Sequence, residues 1–133
     1  MNPNIHKIHH CSVLVADLRK SLDFYHGVLG LEIDPRRPDL GYDGAWLNVG
    51  SQQIHLLALP NPDPVLGRPA HGGRDRHVAL YVKDLALLCR QLEGAGVEYS
   101  VSKSGRKALF CRDPDGNALE FIEISDCHEP GPQ

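Results

Sequence analysis

Four polar side chains interrupt short runs of residues that are otherwise suited to buried strands. They are His10, His55, His77 and Glu120. Burying an ionised carboxylate without a partner is costly, so an inward-facing Glu120 needs a cation or a proton beside it. Imidazole and carboxylate ligands held on rigid strands suit a divalent first-row metal such as Zn, Ni, Co, Mn or Fe. The sequence therefore predicts one divalent metal ion bound by these four residues.

Each of the four residues also has a plainer interpretation. A single histidine in a strand is more often hydrogen-bonded or half-exposed than a metal ligand, and Glu120 would face water if its strand had an open face. The metal interpretation depends on position, because one such residue falls in the first and one in the last strand of each of two similar units. His9 is the weaker alternative to His10, since only one of two adjacent strand residues can face inward.

The two units show as a repeat in the sequence. The segments 10–17 and 77–84 both begin with a His, continue as a short apolar run and end with an Asp seven positions later. Each Asp is a suitable N-cap for a following helix. A repeat that cannot bury its own apolar face is expected to pack against its twin.

Periodicity and turn residues predict an α+β protein with the element order βαβββ, linker, βαβββ. The predicted strands are 8–16, 31–33, 44–49, 53–59, 77–82, 97–101, 108–112 and 118–124, with helices over 18–29 and 85–93. One domain is expected over 1–133, with modules of about 8–59 and 76–124, a Pro- and Gly-rich linker of about 60–75, and a frayed tail from 125.

Composition excludes several classes of function. The net charge of −3 gives no electrostatic case for binding nucleic acid or an anionic membrane. No apolar run approaches the roughly 20 residues of a membrane span, and the N-terminus lacks a signal-peptide core, so a cytoplasmic protein is expected. The four cysteines form no CxxC pair and are predicted to be buried, reduced thiols.

The motifs resemble a known family. The matching text is HCSVLVADLRKSLDFYHGVLGL (10–31), IHL (54–56), HVALYVKD (77–84) and DPDGNALEF (113–121). On these motifs, over about residues 8–124, the sequence resembles the vicinal oxygen chelate superfamily, which includes glyoxalase I, fosfomycin-resistance thiol transferases, extradiol dioxygenases and bleomycin-resistance proteins.

The resemblance implies paired βαβββ modules that form a curled sheet around a metal cavity. It implies metal ligands at His10, His55, His77 and Glu120, and a homodimer whose cavity is built within a chain or across two chains. The sequence departs from the family at His55, where glyoxalase I-like members usually carry Glu and epimerase-like members often Gln. That departure weakens a direct transfer of glyoxalase I activity.

The first functional hypothesis is a metal-dependent glyoxalase-family enzyme, of lyase or isomerase type, acting on a small oxygenated substrate. Glu120 would act as a base, and His55 would be a ligand or an acid/base group. One alternative is an Fe(II)-dependent extradiol-dioxygenase-like protein using His10, His77 and Glu120, with His55 as an extra group. Another is a resistance-type thiol transferase or a non-catalytic small-molecule binding protein.

Further residues are candidates for the cavity. The aromatic strand residues Trp46, Tyr81 and Phe110 would line it, although such residues are more often plain core. In the loop 102–107, the resemblance to the fosfomycin-resistance branch makes Arg106 and Lys107 candidate contacts for an anionic substrate. A solvated loop is the alternative.

Overall fold

The fold consists of two compact units in tandem, with their boundary between Asp63 and Pro64. The computed structural model describes residues 2–102 and 104–124, so the expected tail and Cys127 lie outside the described residues. Each unit contains one four-stranded mixed sheet, and neither sheet is closed. The predicted α+β class and the βαβββ order of both units are confirmed.

The first unit has strand order β1-β4-β3-β2, with β1 parallel to β4 and the other pairs antiparallel. Its elements are β1 (His10–Leu14), α1 (Leu18–Leu22), a π-helical segment (Asp23–Val28), β2 (Glu32–Ile33), β3 (Gly44–Val49) and β4 (Gln52–Leu57).

The second unit has the same topology, with strand order β5-β8-β7-β6 and β5 parallel to β8. Its elements are a 3₁₀ turn (Gly72–Arg74), β5 (His77–Val82), α2 (Leu85–Gly94), β6 (Tyr99–Val101), β7 (Ala108–Arg112) and β8 (Ala118–Glu123). The four predicted site residues therefore lie on the paired parallel strands of their units.

Both helices begin at the predicted aspartate caps. The Asp17 carboxylate accepts from the Lys20 N–H at 3.2 Å, and the Asp84 carboxylate accepts from the Leu87 N–H at 2.9 Å. Each bond satisfies a backbone donor that the first helical turn leaves open. In each unit, one capping side chain thus fixes the residue at which the helix begins after its strand.

The predicted continuous α-helix over 18–29 is wrong in its second half, where the helix widens. The Leu29 N–H donates to the Phe24 carbonyl oxygen, five residues back, at 2.9 Å. A π-turn changes the angular spacing of the side chains. It lets the neighbouring residues Phe24 and Tyr25 both be buried, at 5% and 0% exposure.

The first strand is shorter than predicted, because β4 is its only neighbour in the part of the chain that the structure describes. His10 is paired with Gln53, which is the second residue of β4. The apolar residues before His10 therefore have no strand residues opposite them. Ile8 is accordingly 70% exposed. The strand predicted over 97–101 is likewise reduced to Tyr99–Val101.

Helix α2 lies next to β8, and its buried residues are Leu88 and Leu92. Because alternate strand residues point to opposite faces, Leu119 and Phe121 lie on one face of β8 and Glu120 on the other. Leu119 and Phe121 are buried core residues, at 1% and 4% exposure.

The cysteines agree in part with the prediction of buried thiols. Cys11, Cys89 and Cys111 are free, but only Cys111 is fully buried. Burial raises the pKa of the Cys111 thiol to about 12, so it packs as a protonated, apolar side chain. Among the described residues, no helix is both long enough and apolar enough to span a lipid bilayer.

Candidate functional site

His77 and Glu120 face each other in the second unit. Strands β5 and β8 pair in parallel, with His77 beside Ala118 and Ala79 beside Glu120, so both polar side chains lie on one face. His77 Nε2 is 3.3 Å from Glu120 Oε1, and the Glu120 side chain is only 5% exposed. The buried glutamate therefore has the imidazole partner that its position in an apolar strand requires.

A backbone carbonyl orients the His77 ring. His77 Nδ1 lies 2.9 Å from the Asp75 carbonyl oxygen. Because a carbonyl only accepts, the bond places the ring proton on Nδ1 and leaves the Nε2 lone pair facing the carboxylate. Two electron-rich atoms in this arrangement need a positive charge between them, either an additional proton or a metal ion.

The spacing of this pair fits two ligands of one metal ion. Nitrogen and oxygen ligands about 2.0–2.2 Å from Zn at roughly tetrahedral or right angles lie about 2.9–3.4 Å apart. The observed 3.3 Å falls inside that range. Among residues 2–102 and 104–124, however, no three His, Cys, Asp or Glu side chains are grouped closely enough to hold an ion together.

Arg106 binds the second oxygen of the same carboxylate. Its Nη2 donates to Glu120 Oε2 at 3.0 Å, while its Nε donates to Ser104 Oγ at 3.2 Å. The neighbouring Lys107 Nζ lies 3.4 Å from Glu123 Oε1. The two cations suggested for anion binding thus contact carboxylates of the protein itself, and Arg106 does so at the candidate site.

An ionic cluster ahead of β5 supports the carbonyl that orients His77. The Asp75 carboxylate accepts from Arg68 Nη2 at 2.6 Å, from Arg68 Nε at 2.7 Å and from Arg112 Nη1 at 2.8 Å. The hydrogen bonds from Arg68 and then from Arg112 hold the pKa of the Asp75 carboxyl well below its usual range. The same residue therefore anchors the loop with its side chain and orients His77 with its backbone.

The predicted residues of the first unit form a stack of aromatic rings. The rings of His10 and His55 are 3.8 Å apart between centroids, with planes 14° from parallel. Trp46 also stacks with His55, at 4.7 Å and 11°. Since β4 lies between β1 and β3, the buried His55 is held by a neighbour on each side. Of the aromatic residues predicted to line the cavity, Trp46 thus lies beside His55, whereas Tyr81 is 52% exposed.

His55 is held in its neutral form. Burial is the main cause and the nearby His10 and His9 add to it, so the pKa of His55 falls to about 4. Its Nε2 lies 2.8 Å from Gln53 Oε1. The Gln53 amide nitrogen already donates to Asp34 and Asn48, so Oε1 is the acceptor and the His55 proton is on Nε2. His55 Nδ1 is therefore the ring atom with a lone pair.

A polar network adjoins this stack and lines a cleft of about 730 Å³. At its centre Asp34, only 4% exposed, accepts from Arg36 Nε and Nη2 and from Gln53 Nε2. The hydrogen bonds from Arg36 keep the pKa of the Asp34 carboxyl well below its usual range. Trp46 and His9 line the same cleft, so it joins the predicted site residues to polar groups that the sequence did not single out.

Several of these residues were missed by the reasoning from sequence. Gln53 had a usable signal, because it stands two positions before His55 in a strand and so shares its face. Asp34 and Asp75 had none, since their partners are set by the paths of loops.

Comparison with known proteins agrees with the resemblance of the motifs. The profile of the Glyoxalase/Bleomycin resistance protein/Dioxygenase superfamily matches residues 7–121. "Glyoxylase I 4" of Arabidopsis thaliana is 35% identical over 133 residues, covering 95% of this chain and 74% of the relative. "Lactoylglutathione lyase" of Escherichia coli O157:H7 is 29% identical over 124 residues, covering 88% of this chain and 92% of the relative.

A solved structure shows the same fold. A mutant of the fosfomycin resistance protein FosX from Listeria monocytogenes, complexed with Mn(II) and 1S,2S-dihydroxypropylphosphonic acid, superposes with a TM-score of 0.72. It is 14% identical, and the match covers 92% of this chain and 95% of FosX. The profile match and the Arabidopsis relative carry the assignment, and this chain belongs to the Glyoxalase/Bleomycin resistance protein/Dioxygenase superfamily.

Proposed function

We propose that this protein is a divalent-metal-dependent enzyme of the lyase or isomerase type that acts on a small oxygenated molecule. The proposal rests on the distance of 3.3 Å between His77 Nε2 and Glu120 Oε1, on a buried face of the sheet. The tautomer imposed by the Asp75 carbonyl makes a cation the fitting occupant between them. His10 and His55 are proposed to complete the ligand set.

The relatives support the reaction type. Two of them carry the names glyoxylase I and lactoylglutathione lyase, and FosX was solved with Mn(II). We therefore take S-lactoylglutathione as the first probe. The resemblance to glyoxalase I expects Glu at the position of His55, so the substrate of this protein need not be that of glyoxalase I. The same test therefore includes a broader panel of hydroxy-carbonyl compounds.

The side chains of this chain would divide the work. A bound divalent ion would supply Lewis-acid stabilisation of an oxyanion developing on the substrate. Arg106 contacts Oε2 of Glu120, and Oε1 faces His77. Glu120 would therefore act as the base through Oε1 only on loosening from the metal ion, and would then accept a proton from the carbon beside the substrate carbonyl. Arg106 would hold that carboxylate in position through Oε2.

His10 and His55, the two proposed histidine ligands of the first unit, would not share the role of Glu120 as the base. Because the pKa of His55 is about 4, the ring is neutral at physiological pH and suits a ligand better than a proton donor. His10 is exposed and would add a second imidazole beside it. Trp46 would form an apolar wall against the substrate.

The test combines metal content with turnover. Gently purified wild type is expected to hold about one divalent ion per chain and to turn over the probe or a member of the panel. Replacing His77→Ala and Glu120→Gln together should remove the ion and lower kcat by roughly a hundredfold or more. Glu98→Gln, at an exposed position, is the matched control.

Two results would contradict the proposal. One is wild-type turnover in the double variant. The other is oxygen uptake with catechols by an iron-loaded protein that fails on the lyase and isomerase panel, which would favour the dioxygenase alternative. The proposal includes a homodimer, which light scattering checks directly.

A further inference from the structure

His71 occupies a defined position just ahead of β5. Its Nδ1 accepts from the Gly73 N–H at 2.9 Å, which caps the 3₁₀ turn Gly72–Arg74. Its ring packs against Phe110, with centroids 4.8 Å apart and planes tilted by 59°. The histidine ring thus ties the turn to the sheet.

The hydrogen bond to Gly73 settles where the ring proton lies. A nitrogen that accepts from a backbone N–H carries no proton, so the proton of the neutral ring is on Nε2. Nε2 is a buried atom, and it is the single buried side-chain nitrogen or oxygen without a hydrogen-bond partner among the described residues. A buried donor with no acceptor is unfavourable, and native structures rarely leave one.

His71 lies on the same face of the sheet as the candidate site. Phe110, which its ring contacts, is directly opposite Glu120 across β7 and β8. The Phe110 ring also contacts the His77 ring, edge-to-face at 5.3 Å. One aromatic ring therefore separates the unpaired donor of His71 from the pair formed by His77 and Glu120.

Two glycines make this close placement possible. A Cβ at Gly73 would lie 2.9 Å from the His71 ring, and one at Gly72 would lie 3.3 Å from Phe110 and from Ala118. Contacts under 3.0 Å force a shift, so larger residues here would move the ring away from Phe110. The local sequence thus holds the imidazole against the face that carries Glu120.

We propose that His71 is a substrate-binding residue whose Nε2–H donates a hydrogen bond to a carbonyl or carboxylate oxygen of the small oxygenated ligand. This inference rests on the proposed function for the location of the ligand. It does not require turnover, because a donor held in place would recognise an oxygen acceptor whether or not the ligand reacts.

The direct test is nuclear magnetic resonance of the histidine side chains in the full chain, labelled with ¹⁵N-histidine. The His71 Nε2 signal, assigned by its loss in His71→Phe, is followed while S-lactoylglutathione or lactate is added. A saturable shift supports the inference even where no turnover is seen, which separates it from the proposed reaction. No response to either probe overturns it and indicates a structural water as the partner.

The variants add a kinetic readout. His71→Phe keeps an aromatic ring and removes the donor, so KM for the turned-over probe should rise roughly five- to thirtyfold with kcat little changed. His71→Gln, which keeps an N–H donor at the same distance along the side chain, should restore most of the affinity. His6→Phe, in the exposed leading segment, is the control. Equal KM values for wild type and His71→Phe would contradict the inference.

Discussion

His77 donates from Nδ1 to the carbonyl oxygen of Asp75, two residues earlier, at 2.9 Å. The same aspartate is anchored through its carboxylate by Arg68 and Arg112. A change in the ionic cluster is therefore transmitted to the imidazole through one residue of backbone.

Asp75→Asn should destabilise the protein and misplace His77. The change leaves two arginine side chains, 16% and 26% exposed, without their carboxylate. Loss of one partner of a largely buried pair is expected to cost roughly 2–3 kcal/mol of unfolding free energy. Urea denaturation measures it, with the exposed Asp43→Asn as control. A variant as stable as the control would contradict a supporting role for the cluster.

Arg106→Ala should increase the affinity for a divalent metal. Arg106 occupies Glu120 Oε2 at 3.0 Å, so removing it frees an oxygen and eliminates a positive charge beside the proposed ion. Because the arginine side chain is 57% exposed, the effect is screened, and a gain of roughly two- to fivefold is expected. Competition with a chromophoric chelator measures it, and Arg90→Ala on α2 is the control. Weaker metal binding by Arg106→Ala would show that the guanidinium supports the site instead.

His55 should make the metal-free protein less stable as the pH falls. Its folded-state pKa of about 4 is below the ordinary value of 6.5, so the unfolded chain binds the proton first. The stability from neutral His55 is complete above about pH 6.5 and is lost progressively down to about pH 4. Wild type should lose on the order of 2 kcal/mol more than His55→Gln across this window. Equal pH dependence of the two urea midpoints would refute the assignment.

Gly44→Ala should disrupt the start of β3. A Cβ at Gly44 would overlap the Leu56 carbonyl oxygen of the neighbouring strand and come within 2.8 Å of Arg37 Nη2. Since the carbonyl belongs to the sheet backbone, relief requires moving β4, at a cost of roughly 2–3 kcal/mol. Gly94→Ala, at the end of α2 with open space around it, should be neutral or stabilising by about 0.5 kcal/mol. Similar thermal midpoints for the two variants would contradict the packing argument.

Local chemistry predicted much of the fold. Asp17 and Asp84 cap their helices through bonds to the third residue after each, and β3, β5 and β7 have the predicted bounds. These features depend on residues close in the chain. The π-helical segment escaped the prediction because burying Phe24 and Tyr25 together depends on the core, which outweighs the α-helical spacing of the local sequence.

The amino-acid sequence by itself determined the α+β class, the two βαβββ units and the four polar strand residues, because alternation, capping and turn chemistry act over a few residues. Only the tertiary structure decided which atoms of those residues face which partners. Arg106 reaches Glu120 over 14 residues, Arg112 reaches Asp75 over 37, and the backbone of Asp75 sets the tautomer of His77. Such contacts depend on where loops return to the sheet, and this path is set by the packing of the whole unit rather than by any local pattern.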